Sequence, residues 1–124
     1  MAGVVNAVGS IILKPTHLTS HDDFQETIAR NLTTAFAIVR AAGKVMTGGG
    51  SVVLLSTVAA QVAARLTANP KSLEAARAVH PLSRIGTVDD IAAAACWLLD
   101  PATSWVTGQV LSVDGGLSTV RGVA

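Results

Sequence analysis

Three short apolar runs divide this chain, and the stretches between them carry helical spacing. Gly3 to Val8 (GVVNAV), Ser51 to Leu55 (SVVLL) and Gln109 to Val113 (QVLSV) are too short to be helices. They are rich in valine and leucine and are flanked by glycine or small polar residues. Runs of this kind read as strands. The order is strand, helix, strand, helix, helix, strand. Strands that alternate with helices pair in parallel, because a parallel connection needs a crossover long enough to hold a helix. The expected fold class is α/β, a parallel sheet of about three strands with packed helices, forming a single domain over residues 1–124.

The helices carry their own punctuation. "IILKPTHLTS" is a loop broken by Pro15, and Ser20 opens the longest helix. Ser20 and Asp23 have capping-box spacing, and Asp22 and Asp23 suit the positive end of a helix dipole. Phe24, Ile28, Leu32, Phe36 and Val39 recur every three or four residues, which predicts that this face is buried. Lys44 lies near the end, and Thr47-Gly48-Gly49-Gly50 terminates the helix. Asn69 as N-cap and Pro70 at the first position open a second helix that runs to about Val79, before Pro81. "PLSRIG" is a connector. Thr87 caps a third helix, with Asp89 and Asp90 in its first turn and Val88, Ile91, Ala95, Leu98 and Leu99 on its apolar face. Asp100-Pro101 stops it.

Composition narrows the function classes. The chain has 124 residues with a formal net charge of +1, and neither sign is concentrated in one stretch. No basic stripe points to nucleic acid. Ile91 to Leu99 is about half the roughly 18 apolar residues that a membrane span needs, and "MAGVVNAVGS" lacks the basic start of a secretory signal. The expectation is a cytoplasmic protein with no membrane partner. Cys96 is the only cysteine, so no internal disulfide forms, and its apolar helical context predicts a small buried side chain.

Several features resemble chemistry but have plainer explanations. Gly48-Gly49-Gly50 follows a helix and precedes a strand, the reverse of a phosphate-cradling loop, so it reads as a helix-ending turn. His17, His21 and His80 lack ligand spacing and fit surface or capping roles, so no metal site is expected. Asp89 and Asp90 are adjacent on a helix and point apart, so helix N-terminal charge accounts for them. Asn31-Leu32-Thr33 matches a glycosylation acceptor but lies inside a helix. Asn31 itself is a mediocre helix former beside apolar positions. It is either a solvent-facing side chain or a group holding a water or a backbone carbonyl near the C-terminal edge of the sheet.

Taken together, these motifs resemble the short-chain dehydrogenase/reductase family. Asn6-Ala7-Val8-Gly9 resembles its Asn-Ala-Gly signature, and Asn31 in "NLTTAF" its helix-borne catalytic asparagine. "GSVVLLSTVAA" looks like the strand that ends in the catalytic serine. "PLSRIGTVDDIAAAACWLLDPATSWVTGQVLSVDGG" looks like the C-terminal signature. The resemblance runs from Gly3 to Leu117. It implies a partial Rossmann-like, doubly wound sheet and NAD(P)-dependent hydride transfer between carbonyls and alcohols. It further implies NAD or NADP as cofactor, with Asn6, Ala7, Val8 and Gly9 beside it. Asn31 would hold the proton-relay water, and Ser56 and Thr57 would supply the catalytic hydroxyl.

The departures are as informative. The family's Tyr-x-x-x-Lys pair should follow Thr57 shortly, yet the chain contains no tyrosine and its lysines are Lys14, Lys44 and Lys71. The glycine-rich cofactor loop is also missing, which argues against cofactor binding and activity by this chain alone. The resemblance breaks near Ala63-Ala64, and it implies that Arg65 to Leu73 is the far end of the family's substrate loop. The last strand then either pairs with Ser51 to Leu55 or is left alone, and the strand at Gly3 becomes an open edge. An open apolar edge predicts a homo-oligomer. Two readings follow: an oxidoreductase by ancestry, inactive alone, or a non-catalytic module that binds itself or a partner. The small-molecule substrate is not specified by either.

Overall fold

β1 (Ala2–Asn6) and β2 (Gly50–Leu54) lie side by side in parallel, with Ala2 opposite Gly50, Val4 opposite Val52 and Asn6 opposite Leu54. The computed structural model describes residues 2–57 and 69–120. The chain divides into two units, Met1–Val58 and Ala59–Ala124.

In the first unit a long helix joins the strands. It runs as α1 (His21–Ile28), a π-helical turn (Ala29–Thr33) and α2 (Thr34–Val45). Ser20 caps it as its sequence predicts: its hydroxyl accepts the Asp23 amide at 3.1 Å, and the Asp23 carboxylate accepts the Ser20 amide at 3.0 Å. Lys14 reaches the same carboxylate at 2.6 Å.

The triple glycine ends this helix and starts β2. Gly49 has φ +83°, the left-handed region, and its amide donates to the Met46 carbonyl at 3.1 Å. Gly50 lies so close to β1 that a Cβ there would overlap the Ala2 carbonyl oxygen and the Met46 methyl, whereas a Cβ on Gly48 would meet nothing. The run makes a tight turn followed by a close strand approach.

The buried face of the helix differs from the expected one. Phe24 is 54% exposed and Phe36 63%, and Leu32 and Val39 are exposed as well; of the five expected core residues only Ile28 is half-buried. The covered positions of α2 are Thr34, Ala35, Ile38 and Ala42, and α2 packs on both strands. Small side chains let a helix approach a sheet closely. The π turn also adds a residue to one turn, which shifts the phase of α1 relative to α2. Periodicity shows that a face is apolar, not which neighbour covers it.

The second unit contains α3 (Pro70–Val79) and α4 (Val88–Leu99), followed by a short 3₁₀ turn at Pro101–Thr103. The Asn69 side chain accepts the Lys71 amide at 3.0 Å, with Pro70 in the first turn. Thr87 and Asp90 form a second capping box. Ala95 is buried and Ile91, Leu98 and Leu99 are half-buried on α4, while Val88 is exposed. Cys96 is exposed, not buried, because it sits one position beyond the covered stripe.

Gln109–Val113 is not a paired strand. Among the described residues the sheet has two strands and not about three, and Val110 is 99% exposed. A strand exists through hydrogen bonds to a neighbour, and valine content alone supplies none. No helix among the described residues is long and apolar enough to cross a membrane.

The two capping boxes make stability sensitive to acid. The Lys14 ammonium first, then the Ser20 amide and hydroxyl, hold the Asp23 carboxyl down to about 2, against an ordinary 3.8. The Arg84 fork first, then Thr87, holds Asp90 well below the usual carboxylate range. A carboxyl lowered by folding contributes fully above its unfolded pKa, and the contribution is lost as pH falls through the folded value. The thermal midpoint is therefore expected to fall between about pH 4 and pH 2. An Asp23→Asn, Asp90→Asn variant should start lower at neutral pH and fall less over that window. Parallel curves from circular dichroism melts would contradict this.

Candidate functional site

Both strands end at the same edge, and the polar residues collect there. Asn6 closes β1 and is the buried polar residue of the described chain, 4% exposed. Its carbonyl accepts the Leu55 amide at 2.9 Å, and its side-chain oxygen accepts the Val8 amide at 3.1 Å. One residue therefore ties the end of β2 and turns the loop Ala7-Val8-Gly9. Ser56 and Thr57 follow Leu55 directly and are exposed.

Asn31 comes to this edge from the π turn. Its Oδ1 accepts the Ser10 amide at 3.1 Å, and its Nδ2 donates to the Ser10 carbonyl at 2.9 Å and to the Thr27 carbonyl at 2.9 Å. Both hydrogens of the amide are thus committed, and one acceptor lone pair remains. The amide holds a backbone carbonyl and fixes the loop after β1 to the helix. A Cβ on Gly9 would lie 3.0 Å from Asn31 Oδ1, so the two positions constrain each other. The structure brings Asn31 together with Gly9 and Ser10, and Asn6 together with Leu54 and Leu55. Ser56 and Thr57 lie just beyond that second pair.

The chemistry of this edge is bounded by its residue types. Asn6, Asn31, Ser56 and Thr57 donate and accept hydrogen bonds, but none is an acid or base near neutral pH. The edge can orient a polar ligand or a water. Among its described residues Asn6, Asn31, Ser56 and Thr57, none has a side chain that could deliver a proton at a matched pKa.

Elsewhere the polar groups are structural. Arg84 grips Asp90 with two bonds of 2.6 and 2.7 Å, and Asp90 also accepts the Thr87 amide at 2.7 Å. Asp114 accepts the amides of Gly116 and Ser118, both at 3.0 Å, and shapes a turn in which Gly115 and Gly116 have positive φ. Arg84, Asp90, Asp114, Gly115 and Gly116 line an open cavity of 340 Å³ with Leu82. Sequence reading missed Arg84 and Asp114. The signal for the first was an arginine shortly before a capping-box aspartate, and for the second an aspartate before paired glycines. His80 Nδ1 lies 2.6 Å from the Ala76 carbonyl, a helix-end bond in keeping with a capping role. Among the described residues no group of three or more His, Cys, Asp or Glu could hold a metal. The expected join at Ala63-Ala64, and Arg65 to Ala68 of the substrate-loop remnant, lie outside the described residues.

The family model for enoyl-(acyl carrier protein) reductase matches the chain in two stretches, residues 1–68 and 61–118. The two stretches overlap over residues 61–68. An uncharacterised oxidoreductase of Mycobacterium tuberculosis is 32% identical over 162 residues, covering 93% of this chain and 62% of that protein. That alignment is longer than the chain itself, so some tens of the relative's residues have no counterpart here. The chain spans 61 to 63% of the length of the first curated relatives it matches. A candidate gluconate dehydrogenase from Agrobacterium tumefaciens superposes with a TM-score of 0.81 at 26% identity, covering 95% of this chain and 65% of the other. A variant of ElxO with NADPH bound superposes with a TM-score of 0.77 at 18% identity, covering 95% and 67%, and shares the fold. The α/β, Rossmann-like class is the class of these structures.

Proposed function

This chain belongs to the short-chain dehydrogenase/reductase family, and on that footing we propose that it forms one wall of an NAD(P)-dependent oxidoreductase site and transfers no hydride alone. The observation that carries this is the edge itself. Asn6 and Asn31 hold a loop and two strand ends in an ordered polar corner. Among the described residues of the edge, Asn6, Asn31, Ser56 and Thr57 are no proton donors near neutral pH, and the sequence from Thr57 to Lys71 contains no tyrosine. Acid–base catalysis by a positioned side chain is typically worth about 10²–10⁴-fold, and proximity of the two reactants adds more.

The described residues supply only part of what a bound nicotinamide dinucleotide needs. The loop after β1 does not open a helix whose N-terminus could face a pyrophosphate, and Asn31 occupies the open side of Gly9. No catalytic step is therefore derived through the cofactor. Ser56 and Thr57 serve here as hydrogen-bonding groups at a strand end, and Asn31 as the residue that positions the Ser10 backbone. Titration of the purified chain with NADH and NADPH, followed by fluorescence, is expected to show no saturable binding. Saturable binding of either would contradict this.

A second reading is favoured by the sheet. It has two strands among the described residues, so β1 pairs on one side only, and Val5 is exposed. An unpaired parallel strand is a template for association. The chain is accordingly proposed to self-associate, in keeping with a non-catalytic module derived from the family. Sedimentation at micromolar concentration should show a species heavier than the monomer, whereas a stable monomer would contradict it.

A further inference from the structure

Two stretches of this chain leave main-chain hydrogen-bonding groups open. The first is the outer edge of β1. The Asn6 carbonyl bonds toward β2 at Leu55, and along a strand the main-chain groups alternate sides. Those of Gly3 and Val5 therefore point away from β2, and among the described residues no third strand meets them. The second stretch is Gln109–Val113. Among the described residues none of its amides or carbonyls has a main-chain partner, and Val110 is 99% exposed. The two stretches match. β1 is five residues long (AGVVN), as is Gln109–Val113 (QVLSV), and neither holds a charge or a proline. Charges and prolines are what keep an open edge from taking a further strand. Side chains alternate faces along a strand, so β1 offers Val4 on one face and Val5 on the other. The segment offers Val110 on one face and Leu111 with Val113 on the other.

We propose that Gln109–Val113 of one copy adds to the open edge of β1 in a second copy, as a third strand. The inference rests on the self-association proposed above and goes further by naming the segment that occupies the edge. Strand addition draws its affinity from main-chain bonds and its selectivity from side chains on alternate faces. A second copy is the occupant that fits, because every copy carries both an open edge and an open segment of the same length. Gly108 and Gly115, both with positive φ, stand on either side of the segment and limit it to one short strand. Two copies that exchange segments reciprocally close as a dimer and leave neither β1 edge open. One-way addition would instead build a filament that grows at both ends.

Val110→Pro in the full-length chain tests this. It removes an amide from the segment and disfavours ladder pairing, and it breaks no main-chain bond among the described residues. Val110→Thr is the counterpart, because it keeps the amide and the β-branched shape. Circular dichroism establishes that each variant is folded. In sedimentation velocity at micromolar concentration the unaltered chain and the threonine variant should run as dimers. The proline variant should associate more weakly by on the order of tenfold or more. The peptide GQVLSVD, which copies Gly108 to Asp114, should compete in excess and release monomers. Hydrogen exchange at the Gly3 and Val5 amides should be slower in the unaltered dimer than in the proline variant. A monomeric unaltered chain would overturn both the self-association reading and this one. If the unaltered chain assembles and the proline variant assembles as tightly, or the two variants weaken equally, self-association stands and Gln109–Val113 is not the strand that joins the copies. A dimer whose Gly3 and Val5 amides exchange as fast as in the proline variant would overturn the β1 edge as the acceptor.

Discussion

Gly50→Ala is expected to lower the stability of the first unit by about 3 kcal/mol, near the upper end of the range for overpacking a close contact. The added methyl would overlap the carbonyl oxygen of Ala2 and the terminal methyl of Met46. Met46 can rotate away at modest cost. The carbonyl cannot move without shifting β1, which is held to β2 by the register that begins at Ala2 and Gly50. The Leu55 amide, bonded to the Asn6 carbonyl at the far end of the pair, should lose protection from hydrogen exchange in step with global stability. Neighbouring glycines provide the controls. Gly48→Ala has open space and should be neutral, and Gly43→Ala, inside α2 with nothing within reach of its Cβ, should stabilise by roughly 0.5–1 kcal/mol. Equal melting temperatures for the Gly48 and Gly50 variants would show that the strands are not apposed as described.

Asn31→Leu should cost about 3 kcal/mol. It removes the two bonds to the Ser10 peptide and the third to Thr27, each worth about 1 kcal/mol net where water can replace the partner. Asn31→Asp separates shape from hydrogen bonding. It keeps an acceptor for the Ser10 amide but sets a carboxylate against the carbonyls of Ser10 and Thr27 with no hydrogen between them. Both variants should destabilise, and only the leucine variant should speed exchange at the Ser10 amide. A leucine variant with unaltered stability and exchange would reduce Asn31 to a solvent-facing side chain.

The sequence was most legible where structure is local. The caps at Ser20, Asn69 and Thr87 each depend on a side chain and an amide two or three residues away, and all three form. The strands before Ala7 and Ser56 and the role of the triple glycine were also readable. Legibility failed where a distant partner decides the outcome. Val110 has strand-forming chemistry but is in no strand among the described residues, and the Phe24–Phe36 face has the spacing of a core yet is exposed. The π turn left no signal in hydrophobic spacing, although the asparagine it carries was conspicuous as a poor helix former. The grip of Asn31 on Ser10 joins residues far apart in the chain, and a resemblance to a family's catalytic asparagine marked the residue without showing what its amide would touch.

The most direct measurement is NAD(P)H oxidation by the purified full chain against a panel of aldehydes and ketones, followed as a function of protein concentration. The account predicts no rate above buffer at any protein concentration with NADH or NADPH. A rate that rises in proportion to protein and falls in the Asn31→Leu variant would contradict it, because none of the described residues Asn6, Asn31, Ser56 and Thr57 at the edge of the sheet is an acid or base near neutral pH.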